Sequence, residues 1–309
     1  MAAPVVHLDG VTRTFGRVTA LTELSFGVER GGVTVLLGPN GAGKTTALRM
    51  ITGALAPEAG SVTVFGLDPA HDGETIRQRA GVVPATPEFY ERLTGWENLR
   101  FAADIYGLGP HAPIEASATR FGIQDALADG VGSYSTGMKA RLALARAILH
   151  DPELLLMDEP TSGLDPESAH AVLQLIDQMA EEGKTVVMST HLLLEAEGLA
   201  DQVVVMDNGR DLVSGSPTEL IGRYWPTTTV LLAAEDPATL HHVEGLDGVL
   251  SVEMNGGPVN VSLDDVGRIP DLIAALSARG VRLTRVIPHE PSLEELYFTV
   301  RRLEREARG

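Results

Sequence analysis

The residues best equipped for chemistry lie in one glycine-rich stretch: Gly38, Pro39, Asn40, Gly41, Ala42, Gly43, Lys44 and Thr45, followed by Thr46. They fit the pattern G-x-x-x-x-G-K-[ST]. Glycines let the backbone wrap closely enough for its N–H groups to point inward at a β-phosphate. A helix starting at the end of the stretch adds the positive end of its dipole. Lys44 supplies a point charge for β- and γ-phosphates, and Thr45 offers a hydroxyl to Mg²⁺. The bland alternative is an ordinary glycine turn. The strand-like run 33–37 in front and the helical pattern behind favour the phosphate loop.

A second group sits at 154–160, where four apolar residues run into Asp158, Glu159 and Pro160. Doubly wound sheets place their chemistry at the carboxyl ends of parallel strands. Asp158 is placed to hold Mg²⁺ through water, and Glu159 to polarise an attacking water. Strand-to-loop acids are common, so this pair gains its meaning from the phosphate loop that precedes it.

These groups meet only if a sheet brings their strand ends together. Runs 33–37, 153–157, 185–189 and 202–206 are short, apolar and bounded by turn or charged residues, which predicts buried strands. Amphipathic helical stretches lie between them, implying a parallel sheet covered on both faces. Residues 95–129 carry no strand-like run and are expected to form a helical insertion. The pattern changes near 224–229, where Trp225-Pro226 suggests a linker. Beyond it, strands are expected at 229–234, 249–254, 258–263 and 281–287, and helices at 237–244 and 265–279. Gly256-Gly257 is expected to turn the middle hairpin. Ser292 and Glu295 have the spacing of a capping box, opening a last helix with Leu296, Val300 and Leu303 as its apolar stripe. This second part is predicted to be a small α+β domain of ferredoxin-like type.

The 309 residues suffice for one large domain, or for a medium one plus a small one. A hydrophobic fraction of 44% can build a core. The net charge of −18 is spread along the chain: residues 1–222 carry 15 basic and 29 acidic residues, and 223–309 carry 9 and 13. A negative surface repels a phosphate backbone, so no nucleic-acid partner is expected. There is no cysteine, which excludes disulfides and thiolate metal sites. The N-terminus has no basic region followed by an apolar stretch, and no apolar run approaches the roughly 20 residues of a membrane span. The expected location is cytoplasmic, with any membrane role exercised through docking on another subunit.

Further motifs, in order, resemble those of the ATP-binding cassette (ABC) family. Tyr134-Ser135-Thr136-Gly137-Met138 resembles the ABC signature, usually Leu-Ser-Gly-Gly-Gln, and opens a helix before the Asp158 strand. Ser162-Gly163-Leu164-Asp165 resembles the dimer-contact loop, and Ser189-Thr190-His191 the switch-histidine motif. Phe15 stands where the family stacks an aromatic on adenine. Singly, Ser135 could be only a helix cap, His191 a residue before a helix, and Phe15 core packing. The resemblance covers 5–222. It implies an α/β P-loop NTPase core of ABC ATPase type over 1–222, with a helical subdomain at about 85–150, and an accessory α+β domain over 223–309. It further implies two subunits sandwiching two ATP molecules, each on one subunit's phosphate loop and closed by the other's Ser135 and Gly137. Asp165 lies in the dimer contact, and His191 reaches the γ-phosphate.

The chain departs from the family at Ala85, where a glutamine or glutamate usually offers an oxygen to the metal. Weaker Mg²⁺ coordination or altered coupling is expected there. The Tyr-Ser-x-Gly-Met form and the Pro291–Glu295 helix start resemble the ABC-2 exporter branch. The leading expectation is therefore an ATPase subunit, peripheral on the inner membrane face, that drives a separate permease, with residues 87–90 and the helical insertion as the docking surface. The alternatives are a soluble ABC ATPase acting on ribosomes or DNA, and a non-hydrolysing nucleotide binder. The C-terminal domain is open between ligand sensor, dimer clamp and stabilising appendage, with a mild preference for clamp. Arg301, Arg302, Arg305 and Arg308 are expected to form a solvated face, or else to touch anionic lipid.

Overall fold

Strands that are apolar on both faces must be covered on both sides, and the computed structural model places them in the middle of a sheet. The structure describes residues 4–254 and 258–308. The chain forms two compact units: Met1–Pro217 with Tyr297–Gly309, and Thr218–Leu296.

In the first unit the elements run β1 (Val6–Phe15), β2 (Val18–Val28), β3 (Gly32–Leu37), α1 (Lys44–Ile51), β4 (Ala59–Val64), α2 (Pro69–Arg79) and β5 (Ala80–Val83). They continue with α3 (Gly95–Ile105), α4 (Ile114–Arg120), α5 (Thr136–Ile148), β6 (Leu154–Asp158), α6 (Pro166–Glu181), β7 (Thr185–Thr190), α7 (Leu193–Glu197), β8 (Gln202–Asp207) and β9 (Arg210–Gly215). The main sheet has the order β5-β6-β7-β3-β8-β9. Its first five strands are parallel, and β9 turns back antiparallel on β8. The register sets Asp158 of β6 beside Ser189 of β7, and Leu37 of β3 beside Thr190. The ends of three adjacent strands thus present the phosphate loop, the acidic pair and His191 along one edge.

A second sheet, β2-β1-β4, is antiparallel and was not anticipated. Its strands alternate: Val6, Leu8 and Val11 are buried while His7 and Asp9 are exposed. Such a half-polar pattern never shows as an apolar run. Leu8, Leu21 and Leu24 from this sheet join Leu36, Met50, Ile51 and Leu156 in one core. That core fixes α1, and so the loop before it.

Between β5 and α5 the described chain is helical or looped, as expected. α3 opens with a capping box in which the Glu97 N–H donates to Thr94 Oγ1 at 3.1 Å and the Thr94 N–H to Glu97 Oε2 at 2.8 Å.

Next come α8 (Pro217–Tyr224), β10 (Thr228–Ala234), β11 (Val249–Met254), β12 (Val259–Leu263), α9 (Ile269–Ala278), β13 (Leu283–Pro288) and α10 (Leu293–Arg308). In the second unit the sheet order is β11-β12-β10-β13, antiparallel throughout, with connections of β-α-β-β-α-β type. The helix expected at 237–244 is a 3-10 turn, Pro237–Val243. The helix expected from 265 begins as a 3-10 turn, with α9 starting at Ile269 because Pro270 suits only a first helical turn. The expected Gly256-Gly257 turn lies outside the described residues. Ser292 and Glu295 form the capping box, at 3.1 and 3.2 Å.

The end of the chain differs from the sequence expectation. Residues from Tyr297 onward belong with the first unit rather than with the accessory domain. There Val300 is buried, and Arg301 Nη2 lies 3.3 Å from Asp207 Oδ2. Arg301 is therefore paired within the protein rather than solvated. Leu303, expected in the buried stripe, is 43% exposed.

Candidate nucleotide site

The loop between β3 and α1 can close only with glycine at its tight points. A Cβ on Gly38 would sit 2.3 Å from the Met206 carbonyl oxygen. Gly43 has φ +101°, and a Cβ there would lie 2.6 Å from Leu21 Cδ2 and 2.7 Å from the Ala20 carbonyl. Gly43→Ala is thus expected to cost about 1–3 kcal/mol of stability, because backbone cannot give way. Thermal denaturation checks this, and a nucleotide titration of the same variant reports the distorted loop.

Lys44 is buried at the start of α1. Its Nζ donates to the Gly38 carbonyl at 2.7 Å and the Pro39 carbonyl at 3.2 Å, and lies 3.5 Å from Glu159 Oε1. Burial pushes the ammonium below its usual range, while the charges of Glu159 and Asp158 pull it back up. Thr45 Oγ1 donates to Asp158 Oδ2 at 2.8 Å, and Ser189 Oγ donates to Asp158 Oδ1 at 2.6 Å. Both carboxylate oxygens of this buried acid are thereby fixed. Glu159 follows with φ +47°, a left-handed backbone unusual for a side-chain-bearing residue. Its N–H is held by the Ser189 carbonyl and Ser189 Oγ, both at 3.1 Å. That conformation turns the carboxylate to His191, whose Nδ1 is 3.3 Å away. Behind His191, Thr190 Oγ1 donates to the buried Glu195 at 2.7 Å and accepts from the Leu192 N–H at 3.0 Å, which pins the loop.

Phe15 ends β1 and is 44% exposed, with the Arg13 guanidinium 5.1 Å from its ring centroid. Its hairpin partner β2 reaches the loop through Ala20 and Leu21 at Gly43. Gly38, Lys44, Thr45, Asp158, Glu159 and His191 therefore form one cluster.

Ser135, Gly137 and Asp165 form another. Ser135 caps α5, its Oγ accepting from the Met138 N–H at 3.2 Å, an interaction of about 1 kcal/mol. Asp165 caps α6 through the Ser168 N–H at 2.9 Å and the Ser168 hydroxyl at 2.7 Å, and these bonds hold its carboxyl below the usual range. A Cβ on Gly137 would lie 3.1 Å from that same Ser168 Oγ. Among the described residues, no hydrogen bond or ion pair joins Ser135, Gly137 or Asp165 to the phosphate loop. A cavity of about 590 Å³ is lined by Thr136, Lys139, Glu159 and Ser162.

Sequence reasoning passed over Ser189 as a site residue, although it stood in the quoted motif. Only the strand register shows that it locks both Asp158 and Glu159. A further cavity of about 320 Å³ is lined by Thr45, Asp158, Ala85 and Thr86. Thr45 offers it a hydroxyl and Asp158 its one carboxylate, with Thr52, Thr86 and Arg49 also in the lining. That donor set fits Mg²⁺, which takes its remaining ligands from phosphate and water. Among the described residues no cluster of three or more His, Cys, Asp or Glu side chains could hold a metal by itself.

A parallel sheet with a glycine loop and acids at its strand ends defines a phosphate-loop nucleotide-binding domain. Residues 21–162 match the ABC transporter family. The chain is 34% identical over 307 residues to the uncharacterized ABC transporter ATP-binding protein YdbJ of Bacillus subtilis (strain 168), covering 96% of each chain. It is 33% identical over 303 residues to the Nod factor export ATP-binding protein I of Rhizobium etli, covering 96% of this chain and 93% of that one. A solved structure of an ATP-binding subunit of an ABC transporter superposes with a TM-score of 0.64 at 31% identity, covering 71% of this chain and 93% of that chain. The chain belongs to the ABC transporter family as an ATP-binding subunit, and it is an ATPase. Among the described residues no helix is long and apolar enough to cross a membrane.

Proposed function

We propose that this subunit hydrolyses Mg²⁺-ATP as a homodimer on the inner face of the membrane and drives a separate permease that exports its substrate. The observation that carries the reading is the single cluster of Lys44, Thr45, Asp158, Glu159 and His191 at the ends of three adjacent strands. In it, the Lys44 ammonium exchanges the Gly38 and Pro39 carbonyls for β- and γ-phosphate oxygens. Glu159 orients the attacking water and takes its proton, and His191 holds the γ-phosphate side of the site. Mg²⁺, held by the Thr45 hydroxyl and through water by Asp158, supplies charge neutralisation on the phosphates. Phe15 stacks on adenine. Ser135 and Gly137 of a second copy close the site, because the helix N-terminus that Ser135 caps favours an anion. The separation of the two clusters within one chain supports this division. Export is supported by the similarity to the Nod factor export ATP-binding protein I of Rhizobium etli. The exposed groove beside residues 87–90 is the docking face for the permease.

Ala85 tests the metal side. Ala85 and Thr86 border the cavity that holds Thr45 and Asp158, and Ala85 has no oxygen to offer. Phosphate release by the purified chain should require Mg²⁺, and Ala85→Gln should lower the Mg²⁺ concentration for half-maximal rate by about tenfold, the worth of one added oxygen ligand. An unchanged Mg²⁺ dependence sinks the assignment of Ala85 to the metal side. Activity without any divalent cation sinks the Mg²⁺ reading itself.

A further inference from the structure

The groove assigned to the permease contains a cation that the protein leaves without a counter-charge. Arg146 lies on α5, half-buried at the groove floor. Its Nη1 donates to the Glu88 carbonyl at 2.9 Å, and its guanidinium stands 4.7 Å from the Phe89 ring centroid. One carbonyl and one ring face leave most of its five N–H donors for another acceptor. Among the described residues no carboxylate oxygen lies within 4.0 Å of its guanidinium nitrogens. Some other arginines of the same unit are neutralised: Arg79 meets Glu153 at 2.8 Å, Arg120 meets Glu182 at 2.7 Å, and Arg301 meets Asp207 at 3.3 Å. Burial lowers the affinity of Arg146 for its proton, and Tyr106 is the group that opposes this.

The walls around it are mostly apolar, with Glu88 and Asn98 as the other charged or amide residues of the lining. The groove, about 480 Å³, is lined by Val82, Tyr90, Phe101 and Ile105. Phe101 is 46% and Ile105 69% exposed, and Tyr90 meets Phe101 edge-on at 5.1 Å. Apolar walls with one embedded cation fit an amphipathic helix that lays its apolar stripe in the groove and brings one carboxylate. A lipid surface is the poorer fit, because an acidic protein is repelled by anionic headgroups and a single arginine offers little to offset that.

Resting on the permease-docking reading, we propose that Arg146 selects the docked segment: a cytoplasmic helix of the permease presents apolar anchors to Phe101 and Ile105 and one Asp or Glu carboxylate to Arg146. The contact reaches both sides of the machinery. Arg146 is tied to the loop after Ala85 through the Glu88 carbonyl, and it belongs to the helix that Ser135 caps.

The test uses the full chain and two synthetic helical peptides of about sixteen residues. Both carry leucine and phenylalanine at i, i+3, i+4 and i+7, and they differ only by Glu or Gln at the end of that stripe. Titration calorimetry should show the Glu peptide binding at least about tenfold tighter, the worth of a charge-assisted hydrogen bond. Arg146→Gln should erase that preference, Arg146→Lys should keep part of it, and Phe101→Ala should weaken both peptides alike. An unchanged ATP affinity in the Arg146 variants shows that they are folded. Equal binding of the two peptides to the wild type overturns carboxylate selection while leaving the groove as a docking site. A Glu preference that survives in Arg146→Gln overturns it too. Failure of either peptide to bind the wild type overturns the docking reading and this proposal together.

Discussion

Glu159→Gln should lower ATP turnover by roughly 10²–10³-fold, the usual worth of a general base, and leave the nucleotide bound. The substitution keeps the shape of the side chain and removes its charge. Two consequences follow from the geometry. The water opposite the γ-phosphate loses its proton acceptor, so chemistry slows. Lys44 also loses the carboxylate that lies 3.5 Å from its Nζ, so a competitor for the phosphates disappears. ATP should therefore bind the variant as tightly as the wild type, or a few-fold tighter. Single-turnover phosphate release and nucleotide titration separate the two effects. A rate within about threefold of wild type would show that another group takes the proton, and the assignment of Glu159 would fall. The left-handed backbone at Glu159, held by two hydrogen bonds from its N–H to Ser189, predicts that the Gln side chain occupies the same place.

Much of this site was legible in the sequence because its parts are local. The phosphate loop is contiguous, and its glycines are dictated by backbone approach at Gly38 and Gly43 rather than by any distant partner's shape. The strands that end in Asp158 and Thr190 are apolar on both faces, so their runs stand out. Features set by pairing between distant segments were hidden. Nothing in residues 6–28 reveals that they form an antiparallel sheet with 59–64, because half-buried strands alternate and dilute their apolar signal. Ser189 looks like any strand-end serine until the β6–β7 register places it against Asp158. Arg301 reads as one of four surface cations until the last helix is seen against Asp207. Short elements were misjudged for a related reason: seven residues at 237–243 satisfy a helical pattern but close only as a 3-10 turn.

The proposed division of the site between two chains has a sharper consequence than any single substitution. A Lys44→Ala chain cannot hold the phosphates, and a Ser135→Glu chain brings a carboxylate to where the helix N-terminus should meet them. Each variant alone should lose ATPase activity by about 10²-fold or more, since every site in either homodimer is broken. Mixed in equal amounts, they should recover it. In a mixed dimer, one site pairs the intact loop of the Ser135→Glu chain with the intact Ser135 of the Lys44→Ala chain, while the other site carries both lesions. Random pairing makes about half the dimers mixed, each with one good site of two, so activity should approach about a quarter of wild type when sites act independently. A lower value would measure how far the two sites must fire together. No recovery at any ratio, from chains shown to exchange by size and labelling, would mean that Ser135 serves the loop of its own chain. That outcome conflicts with the grouping of the side chains: Gly137 and Asp165 gather around Ser168, while Lys44 and His191 gather around Glu159. Within one chain the α5 helix that Ser135 caps is held in place by the buried Leu142, Leu144 and Ala145. A second copy brings the same helix end to the loop without moving the core.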